Sequence, residues 1–442
     1  MRPTNAWARA SRLAEQTPPT RNRFVDFLRA ASITIVVIGH WLMAVPSLEG
    51  GRFSMGDMLR LAPWSQWLTW IFQVMPLFFI VGGYANAASW EAARRAGRPY
   101  DSGLADRLRR LVLPVVPLLA VWSVLALAGS WIGIPPAMTE IGSELAFTPT
   151  WFLAVYIMVV VLAPATHAAW RRFGLASFWA LIIGAVLVDA VAFAAGLGWL
   201  RWANYAFVWL GVHQLGYLWR DGKLRGTRRA LACAGAGVAS LIFLVFAASY
   251  PVSMITVPGQ ELSNSRPPTL ALLALGIAQL GLVLSLEIPA RRWLERGRPW
   301  TATVLVNGTI MTLFLWHATV MVLAVGLAYG LGGIGLGSAP ASASWWATRP
   351  LWILSLLVAL SVFVAIFGRF EQLGRLAAGR TPTTWQSIAG ALALCSGLAV
   401  LALVGIGAPG GQGFRFGVVL LTFAGAALVA SPLPRGRSGA SP

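Results

Sequence analysis

Apolar stretches of roughly 19 to 25 residues recur along the chain, and an α-helix rising about 1.5 Å per residue needs about 20 residues to cross ~30 Å of hydrocarbon. That recurrence limits the architecture more than any other feature. The stretches are centred near Ile38, Leu77, Leu119, Val159, Ala185, Trp209, Phe243, Leu280, Leu315, Val358, Leu401 and Leu421. With 57% hydrophobic and 11% charged residues, the chain has too little polar surface to coat a soluble globule. The expectation is an all-α integral membrane protein of about twelve transmembrane helices.

A net charge of +19 invites a nucleic-acid reading, but the distribution of the charge argues against one. Of the 34 Lys and Arg residues, Arg29 lies inside the first span and only Arg52, Arg60, Arg201, Arg266, Arg349 and Arg415 fall outside one alternating set of connections and tails. This is the positive-inside asymmetry of a multi-pass protein, and it predicts a plasma-membrane protein with both termini cytoplasmic. The basic clusters then face the anionic headgroups of the inner leaflet, so membrane lipids are expected partners and nucleic acid is not. Residues 1–22 are polar, basic and long for a signal n-region, so the first span is expected to be retained. This segment and residues 432–442 read as disordered cytoplasmic tails. Cys233 and Cys395 lie in apolar spans without partner spacing and read as packing residues, and no metal site is read from the sequence. Trp345 and Trp346 sit at a span end and read as interfacial belt residues. The stretch GLGGIGLGS from Gly330 matches a dinucleotide fingerprint in its letters alone, because no βαβ context surrounds it.

The first span, FVDFLRAASITIVVIGHWLMAV from Phe24, carries Asp26, Arg29 and His40. Arg29 and His40 are eleven positions apart, about three turns plus some 20° of rotation, so both project from one face roughly 16 Å apart along the axis. Ionisable groups inside a span are costly unless they face protein or water, and they mark function by default. Asp189, His167 and His213 are also intramembrane or interfacial, and their surroundings favour structural pairing over chemistry.

Further landmarks follow in order: MPLFFIVGGYANA from Met75, with Gly82, Gly83 and Tyr84; DRLRRLVLP from Asp106, with Arg107, Arg109 and Arg110; TPTWFLAVYIMVVVLAP from Thr148, with Trp151; TLFLWHATVMV from Thr312, with His317; and RFEQLGR from Arg369, with Glu371. Together with Arg29-x10-His40, this series resembles the acyltransferase 3 family of membrane-bound O-acetyltransferase-type enzymes. Gly82 stands where that family commonly has Ser. The resemblance implies a ten-helix acyltransferase-like core over residues 23–376, with two additional transmembrane helices over 377–431. It also implies a cytoplasmic acyl-CoA donor, acetyl-CoA by default, and a hydroxyl-bearing acceptor on the outer side, such as a cell-surface carbohydrate or glycolipid.

The residue chemistry is compatible with that reading. Arginine forks suit the phosphates of acyl-CoA, which gives Arg107, Arg109 and Arg110 a donor-binding role and Arg29 a place near the inner mouth. A histidine side chain ordinarily titrates near neutrality, so His40 is read as a base that can take a proton from an attacking hydroxyl, or as a carrier for the acyl group, and the base is favoured. Asp26, Tyr84, Trp151, His317 and Glu371 are the further site candidates. A secondary transporter with twelve helices is the competing function, since that count with both termini inside is a common transporter plan. No two-half repeat supports it, and a non-enzymatic lipid-binding scaffold would leave Arg29 and His40 without a purpose.

Overall fold

The computed structural model describes residues 6–97, 100–376, 381–408 and 413–431. The expected C-terminal tail over residues 432–442 lies outside the described residues. Helix α1 (Ala6–Glu15) precedes α2 (Arg23–Met43), whose N-cap Asn22 accepts hydrogen bonds from the backbone N–H groups of Phe24 and Val25. Strands β1 (Ala44–Glu49) and β2 (Arg52–Asp57) form an antiparallel hairpin. Its two-residue turn is Gly50–Gly51, both at positive φ, the mirror-image turn that glycine adopts without strain. The short helices α3 (Met58–Leu61) and α4 (Thr69–Phe72) lead into α5 (Met75–Arg95). Then follow α6 (Tyr100–Val112), α7 (Val115–Trp131), α8 (Pro136–Phe147), α9 (Thr150–Phe173) and α10 (Leu175–Ala195). After them come α11 (Asn204–Arg220), α12 (Thr227–Phe246), α13 (Leu270–Ser285), α14 (Glu287–Leu294) and α15 (Gly297–Gly308). The described chain ends with α16 (Ile310–Gly330), α17 (Ala343–Leu376), α18 (Thr384–Val404) and α19 (Phe416–Ala430).

The architecture is the expected all-α membrane type, with the hairpin as a small addition. Among the described residues nine segments are long and apolar enough to cross a membrane, or ten if the bent pair α13 and α14 counts as one span. The count of twelve is therefore not reached, and the three differences have separate causes. The stretch around Trp209 forms only the 17 residues of α11, that around Leu421 only the 15 of α19, and that around Leu280 bends by 57° after Ser285. Composition located all twelve apolar centres inside helices, but it does not measure where a helix ends.

The described residues divide into two compact units. The first comprises Met1–Ser89, Ala163–Ile310 and Val325–Ser355. In it α12 and α13 approach closely through Gly237 and Gly281, where a methyl group would overlap the backbones of Ala278 and Ala234. Within the expected disordered tail over residues 1–22, the described part from Ala6 forms helix α1 and corrects that expectation. Ala10 and Ala14 are buried, and Trp300 on α15 donates its indole N–H to the Ala14 carbonyl (3.3 Å) and to Thr17 Oγ1 (3.1 Å). Polar composition gave the segment away as loop, while its alanines at helical spacing supplied a docking face.

The second unit comprises Trp90–Leu162, Met311–Ala324 and Leu356–Pro442. Here α18 and α19, read from sequence as additions to a ten-helix core, pack with α6 and α8. Thr150 Oγ1 donates to the Leu398 carbonyl (3.4 Å), and the Ile406 N–H donates to the buried Ser143 hydroxyl (2.9 Å). Small residues again set the approach: a methyl at Gly425 would overlap the backbone of Leu394.

Candidate functional site

Helix α2 is continuous from Arg23 to Met43, so the sequence arithmetic holds: His40 lies about 20° around the helix from Arg29. Val36 lies about 20° to the other side, with Val25 and Ile33 at about 40° and Ser32 and Asp26 at about 60°. The four flanking residues Val25, Asp26, Ser32 and Ile33 are buried, yet Arg29, Val36 and His40 are only half-buried. The middle of an otherwise covered stripe is thus its most accessible part. Among the described residues the Arg29 guanidinium has neither a hydrogen-bond nor an ion-pair partner. The Ser32 hydroxyl, one turn along, is likewise buried without a partner. Sequence reading passed over Ser32; its spacing of three from Arg29 within an apolar run was the available signal.

Asp26 has a different job. Its carboxylate accepts from Arg21 through Nε (2.5 Å) and Nη2 (3.2 Å), and its backbone carbonyl accepts from Asn307 Nδ2 (2.8 Å). The hydrogen bond to Asp26 holds Arg21 above its ordinary pKa. Asp26 therefore ties the start of α2 to the preceding loop and to α15, with Arg21 rather than Arg29 as its partner. Tyr84 on α5 serves the same helix start, its hydroxyl accepting from Asn22 Nδ2 (3.2 Å), while its ring lies 4.9 Å from that of Trp219. Beside it, Gly83 meets α11 backbone to backbone: a methyl there would overlap the His213 carbonyl, and one at Gly216 would overlap Ile80 and Tyr84. The glycine motif is a close-contact device that positions Tyr84.

The remaining predicted residues lie in the second unit. On α6, Arg109 is buried beside Leu108, Arg107 is half-buried and Arg110 is exposed. Arg107 and Arg110, three apart, are neighbours on the helix surface, and Arg109 turns away from both. The expected trio is thus a pair plus one inward arginine. Trp151, near the start of α9, is half-buried against Phe152. His317 on α16 is fully buried, with Nδ1 2.7 Å from the Phe314 carbonyl. A carbonyl only accepts, so Nδ1 carries the proton and Nε2 is the basic nitrogen. Glu371 is buried and accepts from the Thr312 backbone N–H (3.3 Å) and hydroxyl (3.2 Å), so it caps the first turn of α16.

Asp189, His213 and His167, the other titratable candidates, are each engaged by a neighbour. Asp189 accepts from Asn204 Nδ2 (2.8 Å) and the Tyr250 hydroxyl (2.8 Å), and burial followed by the Asp189 charge pushes the Tyr250 phenol pKa up. His213 Nε2 lies 3.0 Å from Asn86 Nδ2. His167, expected at an interface, is buried with its ring edge-on to Tyr217 at 5.3 Å. Gly332, Gly333 and Gly335 all adopt positive φ, and the Leu336 carbonyl accepts from the Leu48 N–H (2.9 Å), so this loop serves the hairpin. Among the described residues no group of His, Cys, Asp and Glu could hold a metal ion.

A family model described as an acyltransferase domain matches residues 22–368, more than three quarters of the chain. Neither the curated proteins nor the solved structures contain a match. The matched span contains every candidate residue from Asp26 to His317 and ends just before Glu371. This protein belongs to the acyltransferase 3 family, the membrane acyltransferases to which its motifs pointed.

Proposed function

We propose that this protein transfers an acyl group, acetyl by default, from cytoplasmic acyl-CoA to a hydroxyl of an extracytoplasmic acceptor such as a cell-surface carbohydrate or glycolipid. In this reading it resides in the plasma membrane with both termini cytoplasmic. The observation that carries the proposal is the face of α2: an Arg29 with no partner among the described residues and a half-buried His40 share it, inside a span, in a chain of an acyltransferase family. An arginine kept in a span without a counter-ion is best accounted for by an anionic or strongly polar substrate. His40 takes the proton of the acceptor hydroxyl as its oxygen attacks the thioester carbonyl. The C–O bond forms, the C–S bond of the tetrahedral adduct breaks, and His40 returns the proton to the departing CoA sulfur. Arg107 and Arg110, adjacent on α6, supply two forks for the donor's phosphates. His317, whose Nδ1–H is already committed, is the second candidate base.

The test uses the purified full-length protein with labelled acetyl-CoA and an envelope extract, reading both CoA thiol release and label transfer. His40→Ala should lose about 10²-fold to 10⁴-fold in transfer while still binding acetyl-CoA. Full transfer by His40→Ala with loss in His317→Ala would move the base to His317. Failure of the unmodified protein to consume acetyl-CoA, with uptake of a solute into vesicles, would favour the transporter.

A further inference from the structure

The start of α17 contains a second constellation, unrelated to the acyl-transfer residues. Trp345, Arg349 and Trp352 stand at i, i+4 and i+7, one above another on the helix. Each carries a buried N–H that finds no acceptor among the described residues: the indole Nε1 of both tryptophans and Nη1 of Arg349. Arg349 is only 5% exposed, and its guanidinium carbon lies 4.1 Å from the Trp345 ring centre and 5.6 Å from that of Trp352. The rest of the guanidinium is anchored locally, Nε to the Trp345 carbonyl (3.2 Å) and Nη2 to Thr348 Oγ1 (3.5 Å). Thr348 Oγ1 also donates to the Trp345 carbonyl (2.9 Å), so the two side chains share that acceptor. Trp345 is fixed in turn by Val45, Met58 and Ala62, the apolar cluster at the base of the hairpin.

Aromatic faces attract a guanidinium but do not neutralise it, and among the described residues no carboxylate pairs with Arg349. A buried cation and two buried indole donors left unpaired are each unfavourable. All three deficits are of one kind, donors without acceptors, so a single acceptor-only group with negative charge removes them together. The non-bridging oxygens of a phosphate carry enough lone pairs to serve three donors at once. We propose that the Trp345–Arg349–Trp352 face binds a phosphate-type oxyanion, supplied by a lipid headgroup or by a soluble phosphate. The inference stands apart from the acyl-transfer reading, since it uses no residue assigned to it.

Delipidated full-length protein in a non-ionic detergent provides the test, with thermal unfolding and native mass spectrometry as readouts. Inorganic phosphate and short-chain phosphatidylglycerol are the two probes, and diacylglycerol and chloride at matched ionic strength are the controls. At least one phosphate-bearing probe should raise the unfolding temperature in a saturable way, as a ligand of the native state must. Arg349→Gln should weaken that binding about ten-fold or more, Arg349→Lys should recover little of it, and Trp352→Phe, which keeps the ring and deletes one donor, should weaken it severalfold. The exposed Arg52→Gln should leave it unchanged. Stabilisation by the lipid alone identifies a headgroup site, and stabilisation by both probes in competition identifies a site open to soluble anions. No saturable stabilisation of the unmodified protein by either probe would overturn the proposal, as would equal binding by Arg349→Gln and Trp352→Phe.

Discussion

If Arg29 is retained for a substrate rather than for the fold, removing its charge should stabilise the protein while abolishing its activity. An arginine at the centre of a span is unfavourable by about 2.5 to 3.5 kcal/mol on insertion scales. Arg29 lies six residues inside α2, about 9 Å from its end, and is half-buried, so about half that figure applies. With no partner to lose, Arg29→Met should raise stability by ~1 to 2 kcal/mol, a rise of a few degrees or less in unfolding temperature for a chain of this size. Asp26→Asn is the internal contrast. Asp26 is buried and bidentate to Arg21, so its substitution should lower stability, by ~1 kcal/mol because Arg21 is 55% exposed and the pair is partly screened. Thermal unfolding of the variants in one detergent, beside acetyl-CoA turnover, reads both quantities. Destabilisation by Arg29→Met comparable to that of Asp26→Asn would show that Arg29 is structural and would remove the main support for the proposed site.

Gly83→Ala should destabilise by about 2 kcal/mol or more, since backbone atoms of His213 cannot yield to a methyl group, and Gly216→Ala should act through the same contact so that the double variant is less than additive; unfolding temperatures check both. Arg107→Gln and Arg110→Gln should each weaken acetyl-CoA binding about ten-fold with little effect on stability, and buried Arg109→Gln should instead lower stability, as titration of detergent-solubilised variants will report. Ala137→Cys should react with an impermeant thiol reagent from outside the cell and Ala96→Cys should not; both positions are exposed, and the reverse pattern would invert the topology and with it the donor side.

The sequence made the membrane class legible because apolar length is a one-dimensional property, and it made α2 legible because an uninterrupted helix turns spacing directly into angle. Partnership was harder to see. That Asp26 answers Arg21, five residues back, depends on how the loop before Asn22 folds. That Glu371 caps α16 depends on two helices meeting some sixty residues apart in the chain. The glycine motif illustrates the same limit: Gly82, Gly83 and Tyr84 were visible as a pattern, but their purpose lies in the α11 backbone against Gly83. Helix α1 and the hairpin were missed for a local reason, since each depends on two or three small residues, Ala10 with Ala14 and Gly50 with Gly51, whose composition alone suggests a loop.

Depth in the membrane, the criterion that sequence offers for function, separates the polar residues less sharply than satisfaction does. Asp189, His213 and Asp26 are all buried and would all be flagged by depth, yet each is held by a hydrogen bond to a neighbour fixed elsewhere in the fold. Such groups hold helices together, and their removal is felt as lost stability. Arg29, Ser32 and Arg349 differ: among the described residues each has donor capacity left over. A fold does not gain by keeping donors unsatisfied in a low-dielectric setting, because a methionine or an alanine would fill the same space without the penalty. Their retention therefore calls for an acceptor from outside the chain. Among the described residues the middle of α2 and the first turns of α17 are two such places, and there binding rather than packing accounts for the residues present.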